Sequence, residues 1–364
     1  MGTNWFSTGR ENSNKTTGAN ASGRCSHRLQ PRDVHWPLGL VARRIAFLTV
    51  LFAVVTLVQA NEPAEAFRPW SAFGQLDLPK LAHGRIETEC NASMKFARGI
   101  STQAAFVVDA PVETVVRTLL SSDPSRQKDS DIYQHRHFHD ESDAHFGQLQ
   151  FDPKIAAVKR LLEALRKGKD LQLSREERDR LPRDGSIEKA QEFCADVLRQ
   201  RWRRAAQHGD LGVAGAFDLR AEIGSLLKGE ANIARHFATL LAPFTQTGSL
   251  GSPAVQYWDV SNVNHTAALE LGAIYHRHEE GREQLLDVNY YASSGYLVSV
   301  TLYELVPIKF EGKSRTLAWQ AVLVSAQALE GGFGLKRQIA SKLIVSDVEK
   351  AVRTLQKEAA EPAR

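Results

Sequence analysis

From Val255 onward the apolar residues of this chain recur with a period of two, and they do so through five consecutive runs joined by short turn-like separators. The runs are predicted as strands near Val255 to Val263, Ala267 to His278, Glu283 to Ala292, Tyr296 to Val306 and Thr316 to Ser325. Separators such as Glu279-Glu280-Gly281 and Glu311-Gly312-Lys313 suit tight hairpins, so successive strands should pair as an antiparallel meander. Alternation puts Leu269, Leu271, Ala273 and Tyr275 on one face, with Leu286, Val288 and Tyr290 at the same phase of the next strand. Val298, Val300, Leu302 and Glu304 continue that face, as do Leu317, Trp319, Ala321 and Leu323. A helical pattern then runs from about Leu335 to Lys357, carrying Ile339, Leu343, Ile344, Val348, Val352 and Leu355. Ser346 to Glu349 fits a capping box, which predicts a break into two helices there.

Upstream, Ile100 to Asp109 reads as a strand, Pro111 opens a helix through about Leu120, and Asp131 to Phe138 reads as a second, polar strand. Between about 152 and 245 the pattern is helical, with stripes such as Ile155, Val158, Leu161, Leu162 and Leu165, or Ile233, Phe237, Leu240, Leu241 and Phe244. Residues 61–98 read as a linker and N-terminal extension. The fold class is α+β: an antiparallel curved sheet packed on a long C-terminal helix, with a helical insertion.

Residues 41–60 carry a different signal. Arg43 and Arg44 precede an apolar run from Ile45 to Val58, which ends in small residues at Val58-Gln59-Ala60. That is the zone order of a secretory signal, and the run is short of the roughly 20 residues a membrane-spanning helix needs. Export to the periplasm or beyond is therefore expected, with anchoring to an inner membrane by residues 45–60 as the alternative. The 40 residues before Val41 read as a disordered tail or as a start placed too early. Residues 1–60 hold 7 of the 46 Lys and Arg and 2 of the 42 Asp and Glu, leaving 39 against 40. A near-neutral mature chain gives no charge argument for nucleic-acid binding.

The run from Ala105 to Asp123, Ala-Phe-Val-Val-Asp-Ala-Pro-Val-Glu-Thr-Val-Val-Arg-Thr-Leu-Leu-Ser-Ser-Asp, resembles the opening strand, Ala-Pro corner and first helix of the START-like, helix-grip superfamily of polyketide cyclases and lipid-transport proteins. The order of elements after residue 255 is similar to that superfamily by pattern. The resemblance implies a START-like domain over 99–358, interrupted at about 152–245, within a protein similar to exported bacterial proteins. It implies a cavity between sheet and C-terminal helix that binds a hydrophobic or amphipathic small molecule or lipid, with no cofactor and no transferable catalytic motif. An enzyme on the same cavity, cyclase-like or hydrolase-like, is one alternative. The other is an envelope assembly protein docking a partner through the insertion.

Residue chemistry narrows this only a little. Tyr290 and Trp319 carry polar tips on the apolar phase, and Glu304 continues that phase; with Tyr275 they are the candidate ligand-lining residues. Core packing of the same residues is the competing reading. His135, His137 and His139 alternate on the polar strand and are candidate metal ligands only if a second element supplies the rest of the shell. Glu330 to Arg337 is glycine-rich but matches neither phosphate-binding pattern. There is no Gly-x-Ser-x-Gly elbow, so the catalytic residues are unknown. Cys90 and Cys194 could pair in an oxidising compartment, or remain free with Cys194 packed as a small hydrophobe.

Overall fold

A computed structural model describes residue 65 and residues 67–91, 94–127, 130–138, 143–208, 218–246, 251–331 and 335–361. The chain divides into units 1–59 and 60–364, and every described residue belongs to the second. Residues 41–60, read above as a secretory signal, and His139 lie outside the described residues. Among the described residues no helix is long and apolar enough to cross a membrane.

Eight strands form one antiparallel sheet: β1 (Glu87–Asn91), β2 (Gly99–Val108), β3 (Ile132–Phe138), β4 (Val255–Val263), β5 (Thr266–Glu279), β6 (Arg282–Ala292), β7 (Val298–Phe310) and β8 (Lys313–Ser325). Their spatial order is β1-β2-β8-β7-β6-β5-β4-β3. The five-strand meander therefore forms the centre, and β2 returns to pair with β8 from Gly99↔Ser325 to Val108↔Thr316. Three hairpins turn on residue pairs with positive φ, Asn264-His265, Glu280-Gly281 and Glu311-Gly312. This is the hand of turn that matches strand twist.

Helices cover the sheet on both sides. The insertion supplies α3 (Ala156–Lys167), α4 (Arg175–Asp179), α5 (Ile187–His208), α6 (Leu219–Gly229), α7 (Ala231–His236) and α8 (Ala238–Thr245). Val158, Leu161, Phe193, Leu198, Ile223, Leu226, Phe237 and Phe244 from these helices share one core with Trp258, Leu271, Leu286, Val300, Leu302 and Trp319 of the sheet. The opposite face packs on α2 (Val112–Ser121) and the C-terminal α9 (Leu335–Ala360), with Val115, Val348, Val352 and Leu355 against Phe106, Ile274, Leu285 and Leu305. Arg337 of α9 donates to the Gly99 carbonyl, and Gln356 donates to that of Val107 at 2.8 Å, so α9 runs along β2.

The two predicted helices at the C-terminus are one. Ile344, Val348, Val352 and Leu355 carry the packed stripe straight through Ser346, so the helix keeps its burial by continuing. The presumed linker at 61–98 is also part of the fold. Phe67, Trp70, Phe73, Leu76, Leu78 and Leu81 are buried, the last two in the short α1 (Leu78–Ala82), and β1 closes the sheet edge. The sequence of β1, Glu-Thr-Glu-Cys-Asn, has no apolar alternation to betray it.

Candidate functional site

The residues expected to line a cavity beside the C-terminal helix lie on the other face. Tyr275, Tyr290 and Trp319 belong to the core shared with the insertion, and Glu304 pairs with Trp319 across β7 and β8. Trp319 is packed solid: Trp70 meets it edge-on with centroids 4.4 Å apart, Phe237 stacks on it at 5.7 Å, and its indole donates to Gln103 at 3.2 Å. Glu304 is fully buried and accepts from Gln284 Nε2 at 2.8 Å, with His236 Nε2 at 3.0 Å. The His236 ring stacks on Trp70 at 4.2 Å, so this carboxylate pins α7 and the N-terminal extension to the sheet. The Tyr275 and Tyr290 hydroxyls are buried without a hydrogen-bond partner. Period-two alternation groups residues by face but does not say which helix meets which face. Here the more apolar phase went to the larger helical layer.

On the α9 face the sheet carries polar residues in register. His135 of β3 faces Asp259 of β4, which faces Glu270 of β5; His137 faces Tyr257, which faces Gly272. Gly272 faces Asn289 of β6, and Ile274 faces Asp287. Asp287 and Asn289 in turn face Thr301 and Ser299 of β7. The bulge between Leu271 and Gly272 is where this geometry is made. A Cβ added at Gly272 would lie 2.6 Å from Tyr257 Cε2 and closer still to Cζ and the hydroxyl. Glycine is thus required for the Tyr257 ring to lie across β5 and reach β6.

The hydrogen bonds follow. Tyr257 Oη lies 2.6 Å from Asp287 Oδ1 and 2.8 Å from the side-chain oxygen of Asn289. Its one hydrogen can serve only one of them, so either the Asn289 amide is turned to donate or Asp287 carries a proton. His135 Nδ1 sits 2.6 Å from Asp259 Oδ1, and its Nε2 is buried without a partner. Ser261 donates to Glu270. His135 is 8% exposed and Asp259 3%, whereas Asp287, Asn289, Ser299, Thr301, Tyr303 and His137 are half-buried. The cluster therefore has a closed end on β3 and β4 and a water-accessible end on β6 and β7.

Burial dominates the electrostatics. It pushes Glu270 up to about 8, helped by the charge of Asp259, and Asp287 up to about 6, against the Tyr257 hydrogen bond. Burial and the nearby Asp123 raise Asp259 well above the carboxylate range, and burial lowers His135 despite Asp123 and Asp287. Both shifts favour neutral partners, so the His135–Asp259 contact is a hydrogen bond more than an ion pair. The site can donate and accept hydrogen bonds, transfer protons, or take up positive charge.

His135 and His137 do come together, with ring centroids 4.4 Å apart, but among the described residues no group of three metal-binding side chains forms. Cys90 and Cys194 are both free. Cys90 lies on the edge strand β1, while Cys194 is on α5, which packs on β5 toward the other edge. A bond between them is excluded by that placement. Asp259, Glu270, Asp287 and Tyr257 were not picked out from the sequence. The signal was there for the three carboxylates: acidic residues at the opposite phase of three strands, each flanked by apolar ones. A separate cleft of about 700 Å3 between the 143–149 turn and α5 is lined by Phe146, Phe193, Arg180 and Asp196, the last two paired at 2.8 Å. Comparison with protein-family models, curated proteins and solved structures returned no match.

Proposed function

We propose that this chain is an exported START-like, helix-grip protein that takes a small organic molecule onto the α9 face of its sheet, apolar body against the α2 and α9 side and polar head on β6 and β7. The observation that carries this reading is the row Asp287, Asn289, Ser299, Thr301 and Tyr303, polar and half-buried on a face whose neighbours Leu285, Leu305 and Ala318 are fully buried. Desolvated polar groups are retained where a ligand gives them partners. The apolar body leaves water, and the polar row fixes its orientation. Docking of an envelope partner through the insertion has less support, because the apolar stripes of α3, α5 and α6 are buried against the sheet. Native mass spectrometry of protein recovered from its own source tests the proposal. A bound small molecule that Asn289→Trp abolishes supports it, and a ligand-free protein, or a ligand indifferent to Asn289→Trp, sinks it.

A second reading, an acid–base enzyme on the same face, is favoured by one feature. Asp259 fixes the His135 ring through Nδ1, and the buried Nε2 is left without a hydrogen-bond partner, free to exchange a proton with a bound molecule. His135→Gln separates the two, since it would leave ligand retention intact and abolish turnover of that ligand only if the site is catalytic.

A further inference from the structure

We infer that the outer face of α3 docks on an anionic lipid bilayer. This goes beyond the ligand reading and does not depend on it, because α3 covers the insertion side of the sheet and the ligand is placed on the α9 side. The apolar stripe of α3, which includes Val158, Leu161 and Leu165, is buried. Its outward face carries Lys159, Arg160, Arg166 and Lys167 around Glu163, and Lys154 and Lys169 extend the row at either end, all of them exposed. Between 152 and 170 there are six cations against three acids, whereas the other residues from 61 onward hold 33 Lys and Arg against 37 Asp and Glu.

Helix stability does not account for this placement. Arg166 and Lys167 sit in the last turn, where cations suit the helix dipole. Lys159 and Arg160 lie in the N-terminal half and Lys154 just before it, where the dipole opposes them, and the first turn has neither an acidic residue nor a side-chain cap. Nor do the neighbouring acids neutralise the row. Glu163 pairs with Lys167 at 3.3 Å, Asp152 accepts from the backbone N–H of Lys154, and Arg160 is turned to the carbonyl of His265. Among the described residues Lys154, Lys159, Arg166 and Lys169 form no ion pair, while elsewhere on the insertion Arg180 pairs with Asp196 and Lys189 with Asp184.

A bilayer fits this face better than a protein or a nucleic acid does. Among the described residues the exposed large apolar side chain is Leu343, on α9 at the other side of the sheet, so α3 has no apolar anchor of the kind that holds a protein interface. It has no aromatic side chain on which a base could stack. A row of cations alone is what an anionic lipid surface attracts, each adding to the binding while it lies within a Debye length.

The test is co-sedimentation of residues 60–364, one compact unit that lacks the apolar run 45–58, with phosphatidylcholine vesicles made with and without phosphatidylglycerol. Binding should require phosphatidylglycerol and should be lost between about 0.1 M and 1 M salt. Lys159→Glu/Arg166→Glu should weaken it at least about tenfold, and Lys342→Glu/Arg353→Glu, the same charge change at exposed positions of α9, should leave it within about threefold. Circular dichroism of both variants should match the parent, since all four side chains are exposed. Binding that ignores phosphatidylglycerol, no binding at all, or equal loss in the two double variants overturns the proposal. Tighter binding of duplex DNA than of the anionic vesicles at the same salt overturns it as well. None of these outcomes bears on the ligand face.

Discussion

Replacing Gly272 by alanine should cost far more than a methyl group ordinarily does on a strand, and the cost should depend on Tyr257. The added Cβ would fall within 2.6 Å of Tyr257 Cε2, with the ring's Cζ and hydroxyl nearer still, and no other residue is among its three closest contacts. Overpacking of this kind costs roughly 1–3 kcal/mol. Displacing the ring also withdraws the hydroxyl from Asp287 and Asn289. Leaving buried acceptors without a donor adds about 1–3 kcal/mol. Gly272→Ala should therefore destabilise by about 2–6 kcal/mol, mostly through one neighbour. In a Tyr257→Ala background, which itself costs about 3–5 kcal/mol, the same change should cost under about 1 kcal/mol. Urea denaturation of the wild type, both single variants and the double variant gives the coupling directly. Equal costs of Gly272→Ala in the two backgrounds, within about 0.5 kcal/mol, would refute the claim that this glycine exists to seat Tyr257.

The buried carboxylates predict an unusual pH dependence. Glu270 is raised from 4.5 to about 8, so the folded state binds its proton more tightly than the unfolded state; its stabilising contribution is complete below about pH 4.5 and is lost as pH rises to about 8, worth on the order of 5 kcal/mol. Chemical denaturation at pH 5 and pH 8 should show the loss, and Glu270→Gln should reduce it; an unchanged pH slope in that variant would count against the assignment. The protein recovered from its source should begin near Asn61, which intact mass will show, and a species retaining Ile45 to Val58 would mean an anchor. Cys194, buried on α5 with burial raising its thiol, should resist alkylation under native conditions, and rapid labelling would show that α5 does not pack as described.

The meander was legible because each strand alternates and each hairpin carries its own turn residues; β4 was read as Val255 to Val263 and is Val255–Val263. The insertion was legible from its helical stripes, and so was the C-terminal helix, although not its continuity. The edge strand β1 was not, since Glu87 to Asn91 carries no alternating apolar pattern, although its partner β2 is the next strand in the chain. The site was missed for a related reason. The apolar phase carries Tyr275, Tyr290 and Trp319, which form the core against the insertion, and the buried Glu304 beside Trp319. The polar phase, Tyr257 and Asp259 on β4 with Glu270 and Asp287, converges only after β3 to β6 are placed side by side.

The proposed function places the ligand on the α9 face and not between sheet and insertion. A crystal structure of the protein carrying the molecule it retains from its source tests it most directly. The account predicts density within hydrogen-bonding distance of Asp287 and Asn289, with the body of the molecule running toward α2 and α9. Density seated instead among α6, α7 and α8, against the unpartnered hydroxyls of Tyr275 and Tyr290, would contradict it.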